Sequence, residues 1–418
     1  MSYVFSPNHY RLFRTLLGLY LSIHFIHLLP YVEELFSSNG MLSSGSLSPL
    51  FNILPNILAL TDTPLFVYCL TGAAIVASLL LMVGSFDRAA AIFIWFVLAC
   101  FFTRNPLIAN PALPYLGWML LAHVFMPKIH PFEFNSKGDE PSQLRRNIFW
   151  AAWFILALSY SYSGYTKLLS ASWFSGETIE IVLNSPLARD HFMNEVLLSL
   201  PAWCLQVLTW FVLYIELLFA PLILVKKLRP WLWSSMLCVQ FGFLFFLDFA
   251  DLTIPMILFH LLTFDSRWLS VKKRECSESY VLHYDGECGF CHGLPKFILE
   301  EDKASLFTFS PQQSEFSQSA LKQLNLKLES DSIVLQAGTA VYLQTDAVIK
   351  ILQSLGGFWH LPAIVLSCIP SQLRNWAYRL IGKHRKSLRK APGTLCPILP
   401  AEYKKRFKFN LSSYQEII

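Results

Sequence analysis

Two cysteines three residues apart, in Tyr284-Asp-Gly-Glu-Cys-Gly-Phe-Cys291, carry the plainest chemistry in this sequence. A thiolate attacks a disulfide sulfur, and a second thiol within reach displaces what the first has captured. Such exchange needs one acidic thiol. Unpaired N–H groups and the dipole at a helix N-terminus lower a thiol's pKa. The spacing therefore points to Cys288 as the attacking thiolate at a helix start, and to Cys291, one turn on, as the resolving thiol. Asp285 either shapes the loop through backbone N–H bonds or relays a proton to the resolving thiol. Gly286 and Gly289 permit close backbone approach. Zinc is the competing use of these sulfurs, with His283, His292 or Cys276 completing the set, although neither a second Cys-x-x-Cys nor a His-x-x-x-His is present. An inert structural pair is a third reading.

Elements on either side must hold that turn. Ser279-Tyr-Val-Leu-His-Tyr284 reads as a short strand and Gly293-Leu-Pro-Lys-Phe-Ile-Leu299 as the opening of a helix. Further strands are expected at 306–309, 332–335 and 340–343. Thr345-Asp346 should cap a helix over 347–355, which Gly356-Gly357 ends. Short strands alternating with helices predict an α/β sandwich of thioredoxin type, with the Cys-x-x-Cys at a strand-to-helix turn. Residues 373–390 read as a basic amphipathic helix, either a solvated face or one able to rest on anionic lipid. The apolar segment 358–368 is too short to cross a bilayer.

The rest of the chain has another character. Of 418 residues, 54% are hydrophobic and 15% charged, against about 25% charged in soluble domains. The charge deficit lies in residues 1–270. We therefore expect a transmembrane domain over 1–270, a thiol domain over 279–407 and a tail over 408–418. The net charge of +5 is modest, and no nucleic-acid-binding motif accompanies it. The first apolar run carries no small-residue cleavage site, so it is expected to stay as a helix.

About eight spans are expected, near 11–30, 62–84, 88–103, 112–127, 147–167, 202–225, 230–248 and 252–265. Their connections alternate in positive charge. Lys128, Lys137, Arg145 and Arg146 mark one heavy connection, and Lys226, Lys227 and Arg229 another. Residues 31–61 hold no Lys or Arg. The positive-inside rule then puts both termini in the cytoplasm of a multi-pass cell-membrane protein. Cys69, Cys100, Cys204 and Cys238 lie in these runs without paired spacing and read as small core residues.

One group in this half could do chemistry: Tyr160-Ser-Tyr-Ser-Gly-Tyr-Thr-Lys167, followed by Trp173-Phe-Ser-Gly-Glu177. An ammonium near apolar surroundings loses its proton readily and can act as a base. Alternatively Lys167 snorkels to the interface beside Trp173. Glu216 and His260 are the other ionisable groups at membrane depth, each able to tie helices together by a hydrogen bond.

These apolar runs, with Gly164-Tyr-Thr-Lys167-Leu and Trp173-Phe-Ser-Gly176, resemble over residues 7–268 the HTTM membrane domain, which is like the vitamin K-dependent γ-carboxylase. The resemblance implies that Lys167 is the base that deprotonates a quinol, and a quinone is the cofactor it suggests. The Asn-His pair of the carboxylase pattern has no match in Asn110-Pro-Ala-Leu-Pro114.

The carboxy-terminal half resembles, over about 280–407, the DCC family of thiol–disulfide oxidoreductases. The resemblance rests on Asp285-Gly-Glu-Cys288-Gly-Phe-Cys291, Asp346-Ala-Val-Ile-Lys350, Trp359-His-Leu-Pro362, Leu373-Arg-Asn-Trp-Ala-Tyr378 and Leu395-Cys396-Pro397. It implies dithiol–disulfide exchange with a thiol or disulfide partner, protein or small molecule. The expected whole is a multi-pass α-helical membrane bundle followed by an α/β thioredoxin-like domain. A quinone-linked enzyme at Lys167, or a redox-sensing membrane anchor without catalysis, are the other readings.

Overall fold

The computed structural model describes residues 6–51, 53, 55–108, 110–126, 143–269, 279–286, 293–324, 333–388 and 401–409. Among the described residues the chain is mostly helical, with one small mixed sheet in the carboxy-terminal part. It separates into two compact units: one holds the residues up to His9 together with those from Asp265 onward, the other holds Tyr10 to Phe264 apart from the segment near 129–141.

In the second unit each of the eight apolar runs is helical, but the count of about eight spans is corrected. Among the described residues two helices are long and apolar enough to cross a membrane, Pro7–Phe36 and Pro64–Val83. Phe192–Leu198 and Ala202–Leu217, bent by 102° at their break, make a third if taken as one span. The reasons are local. The helices Leu113–Phe125 and Ala250–Thr263 have 13 and 14 residues, and at about 1.5 Å per residue they fall short of a hydrocarbon core of about 30 Å. Asp87, Arg88 and Arg104 charge the ends of Asp87–Arg104, and the Ser and Tyr run of Gln143–Leu168 dilutes its apolar character. Charge alternation counted over eight spans therefore no longer fixes the side of each terminus. The cysteines also divide: Cys100 is buried, whereas Cys69 and Cys238 are exposed on their helices rather than in a core.

Two side chains that break the apolar pattern here find partners inside the unit. Arg104 is fully buried. Its guanidinium pairs with Asp62 at 3.1 Å and donates to the carbonyls of Ser37 and Leu42. His260, also fully buried, lies 2.8 Å by Nδ1 from the Met256 carbonyl and 3.4 Å by Nε2 from the Tyr160 hydroxyl, to which Gln240 donates.

In the first unit the chain runs β1 (Tyr280–Tyr284), helix Gly293–Glu301, β2 (Phe307–Pro311), helix Glu315–Gln323, β3 (Val334–Ala337), β4 (Ala340–Leu343) and helix Gln344–Leu355. All four expected strands form, β4 as expected, while β2 ends two residues beyond the expected 306–309 and β3 is shifted by two residues from the expected 332–335. The order is β2-β1-β3-β4, with β1 and β2 parallel and the other pairs antiparallel. Parallel pairing demands a crossover, which the helix Gly293–Glu301 supplies.

Both faces of β1 are covered, so its whole length is buried. Tyr280, Leu282 and Tyr284 join Ile298 and Leu299 of the following helix, Phe307 and Phe309 of β2, and Ala347 and Ile351 in one core. The opposite face meets the helix Glu315–Gln323, where the rings of His283 and Phe316 stack. Beyond β2 the segment Arg406–Lys408 closes the sheet: Phe309 N–H donates to the Arg406 carbonyl and Lys408 N–H to the Phe309 carbonyl, both at 2.8 Å.

The expected cap at Thr345-Asp346 is not formed. Helix Gln344–Leu355 starts earlier and has no side-chain cap. The Thr345 hydroxyl instead donates to Asn375, and Asp346 pairs with Arg374. Both residues thus fasten the basic helix Ser371–Leu388 to the domain. Gly356 and Gly357, both at positive φ, end the helix as expected.

Candidate functional site

Parallel strands β1 and β2 end side by side, with Tyr284 opposite Pro311. Gln312 N–H extends the pairing by one bond, donating to the Tyr284 carbonyl at 2.8 Å. The chain leaving β1 is then caught by one amide. Gln313 Nε2 donates to Asp285 Oδ1 at 2.9 Å, while Gln313 Oε1 accepts from Gly286 N–H at 2.9 Å. Asp285 is buried, and a buried carboxylate needs such donors. This clamp fixes the direction in which the backbone enters the segment 287–292. Sequence reasoning singled out Asp285 and Gly286 but missed Gln313, whose only signal is a Gln-Gln pair directly after a strand ending in Pro311.

Cys288 and Cys291 lie outside the described residues, as do His292 and Cys276. The described residues bracket Cys288 and Cys291: Gly286 stands at the end of the clamp and Gly293 begins the crossover helix.

His283 is the described member of the zinc reading. It is fully buried in β1, with Nδ1 2.7 Å from the Ser317 hydroxyl and Nε2 3.4 Å from Gln336 Oε1. The Ser317 hydroxyl donates to Ser310, whose hydroxyl donates in turn to the Lys408 carbonyl. The imidazole is therefore engaged on the strand face behind the turn, and metal binding would have to break that network. Among the described residues no three His, Cys, Asp or Glu side chains gather as a metal site.

Burial pushes the His283 imidazole down from its usual value near 6.5 to about 4. The unfolded chain takes up this proton more readily, so stability is full above pH 6.5 and falls as pH drops from 6.5 toward 4. The loss reaches about 3 kcal/mol at pH 4. Urea midpoints measured at neutral and mildly acidic pH should converge when His283 is replaced by Gln, which carries no proton in that range. An unchanged acid dependence in His283→Gln would assign the effect to other groups.

Lys167 sits in the last turn of Gln143–Leu168, in the other unit. Its Nζ lies 2.5 Å from Glu216 Oε2 and 4.8 Å from the centre of the Trp173 ring. Glu216 is buried. The two groups that the sequence offered separately are thus one ion pair, which compensates the cost of burying either charge alone. Gly164 permits it, because a Cβ there would meet the Leu217 backbone nitrogen at 2.3 Å.

Residues 282–391 match the family described as DCC1-like thiol-disulfide oxidoreductase. The chain is 36% identical over 106 residues to the uncharacterized protein YuxK of Bacillus subtilis (strain 168), covering 25% of this chain and 77% of YuxK. It is 25% identical over 109 residues to a chloroplastic DCC family protein of Arabidopsis thaliana, covering 26% of this chain and 63% of that protein. No solved structure matches. None of these matches supports the resemblance of residues 7–268 to an HTTM domain. Their extent and identity place the carboxy-terminal domain securely, and through it the chain belongs to the DCC1-like thiol-disulfide oxidoreductase family.

Proposed function

We propose that the chain is a membrane-anchored thiol–disulfide oxidoreductase in which Cys288 and Cys291 form the redox pair of a thioredoxin-like domain. The observation that carries this reading is the family match across the Asp285-Gly-Glu-Cys288-Gly-Phe-Cys291 turn. The layout supports it: a parallel β1–β2 pair joined by a crossover helix, then an antiparallel β3–β4 hairpin, with the cysteines between β1 and that helix. The domain covers 279–407, the anchor 1–270.

In the reaction, the Cys288 thiolate attacks one sulfur of a substrate disulfide. A mixed disulfide forms and the other substrate sulfur leaves as a thiolate. Cys291, as its thiolate, then attacks Cys288, closing the Cys288–Cys291 disulfide and releasing the second substrate thiol. Two electrons pass from protein to substrate, and the reverse sequence oxidises a substrate dithiol. Asp285, held by Gln313, is the turn-forming residue. The basic residues Arg267, Lys272, Lys273 and Arg274 ahead of the domain favour a cytoplasmic location for it, and a reducing compartment favours the reductase direction.

The quinone-linked reading of Lys167 would require its ammonium to leave Glu216. The test of the main reading is thiol counting in the full chain across a series of redox buffers. Cys288 and Cys291 should lose their free thiols together, in one two-electron step. Independent oxidation of the two, or a stoichiometric zinc ion released on blocking them, would sink it.

A further inference from the structure

We propose that the outer face of helix Ser371–Leu388 lies flat on an anionic lipid surface, giving the thiol domain a membrane contact of its own. The inner face of this helix is fastened to the domain: the Tyr378 hydroxyl accepts from Ile333 N–H at 3.2 Å, while Asn375 and Arg374 hold Thr345 and Asp346. What remains outward includes an apolar stripe. Leu373 is 57% exposed, Trp376 58%, Leu380 46% and Ile381 53%. Spacings of three and four residues align the first three in one stripe. Ile364 and Val365, on the preceding helix His360–Cys368, are exposed as well.

The charges decide the occupant. Between Ser371 and Lys390 the sequence contains Arg374, Arg379, Lys383, Arg385, Lys386, Arg389 and Lys390, and no Asp or Glu. At about 3.6 residues per turn the exposed Arg379 falls beside the apolar stripe, while Arg374 is engaged by Asp346. An apolar stripe centred on a Trp, in a segment rich in cations and without a carboxylate, fits the headgroup boundary of a bilayer. The stripe enters the acyl region and the cations of the segment meet lipid phosphates and carboxylates. The same chain carries helices able to cross a membrane, so a bilayer is at hand. This inference does not depend on the thiol chemistry.

The full chain with Leu380 replaced by the photocrosslinker p-benzoylphenylalanine, irradiated with phosphatidylcholine vesicles with or without added phosphatidylserine, tests it. The readout is the same whether the apolar helices insert or not. A phospholipid adduct should form at position 380 in the phosphatidylserine vesicles. Its yield should fall roughly tenfold without phosphatidylserine, in high salt, or in the variant Arg379→Glu with Lys383→Glu and Lys386→Glu. The same crosslinker at Lys322, exposed on another helix of the domain, should give no adduct. An adduct joining two copies of the chain, equal lipid yields in both vesicle types, or no lipid adduct at position 380 would each overturn the proposal.

Discussion

Cys291→Ser should turn the protein into a trap. With the resolving thiol gone, the disulfide between Cys288 and a substrate has no internal nucleophile to open it, so mixed disulfides accumulate on Cys288. Cys288→Ser should accumulate none, because the remaining thiol is not the one activated for attack. Both variants should lose turnover of a small disulfide by on the order of a thousandfold or more, since two groups acting as a unit fail together when either is removed. Non-reducing gels and mass spectrometry of the full chain distinguish the two variants. If Cys291→Ser yields no trapped partner while Cys288 still reacts with alkylating reagents, the pair is a sensor or a structural element rather than an exchange site.

The second large effect concerns stability. Asp302 follows the crossover helix and is buried. It accepts the N–H groups of Leu306 and Phe307 at 3.0 Å each and pairs with Arg406, whose Nε donates to the Phe307 carbonyl at 2.8 Å. Asp302→Ala leaves two amides near the start of β2 without their acceptor and the Arg406 guanidinium without its counter-ion. Removing one partner of a buried, hydrogen-bonded ion pair costs about 3–5 kcal/mol, a large part of a domain stability of about 5–15 kcal/mol. Urea unfolding of the carboxy-terminal domain, read by proteolysis of the full chain, should show this drop. Adding Arg406→Met to Asp302→Ala should cost less than the two single changes summed, because the second removes the stranded charge. Strict additivity would mean that the two side chains do not act together.

How much of this was legible depends on the range over which each signal acts. The four strands are set by residues two apart, such as Tyr280, Leu282 and Tyr284, so a short window reveals them. The thiol turn is equally local. The Gln313 clamp is not, since a Gln after a strand has no distinctive chemistry until the fold brings it to Asp285. Lys167 and Glu216 were each visible as ionisable groups in apolar helices, but 49 residues separate them and only packing against Gly164 joins them. Thr345 and Asp346 look like a cap because the local sequence cannot show that Asn375 and Arg374 compete for them. The span count failed for a related reason. Apolar composition marks a helix that must be covered, and neighbouring helices cover it as well as lipid does; helix length and the Ser and Tyr content of Gln143–Leu168 separate the cases.

The strip Arg406–Lys408 along β2 sets an order on biosynthesis. A ribosome releases β1 and its cysteines more than a hundred residues before the segment that seals the far border of the sheet. Throughout that interval the rim of β2 offers unpaired amides to any neighbouring nascent strand. Truncated products ending before Arg406 should therefore be the species that chaperones and proteases meet.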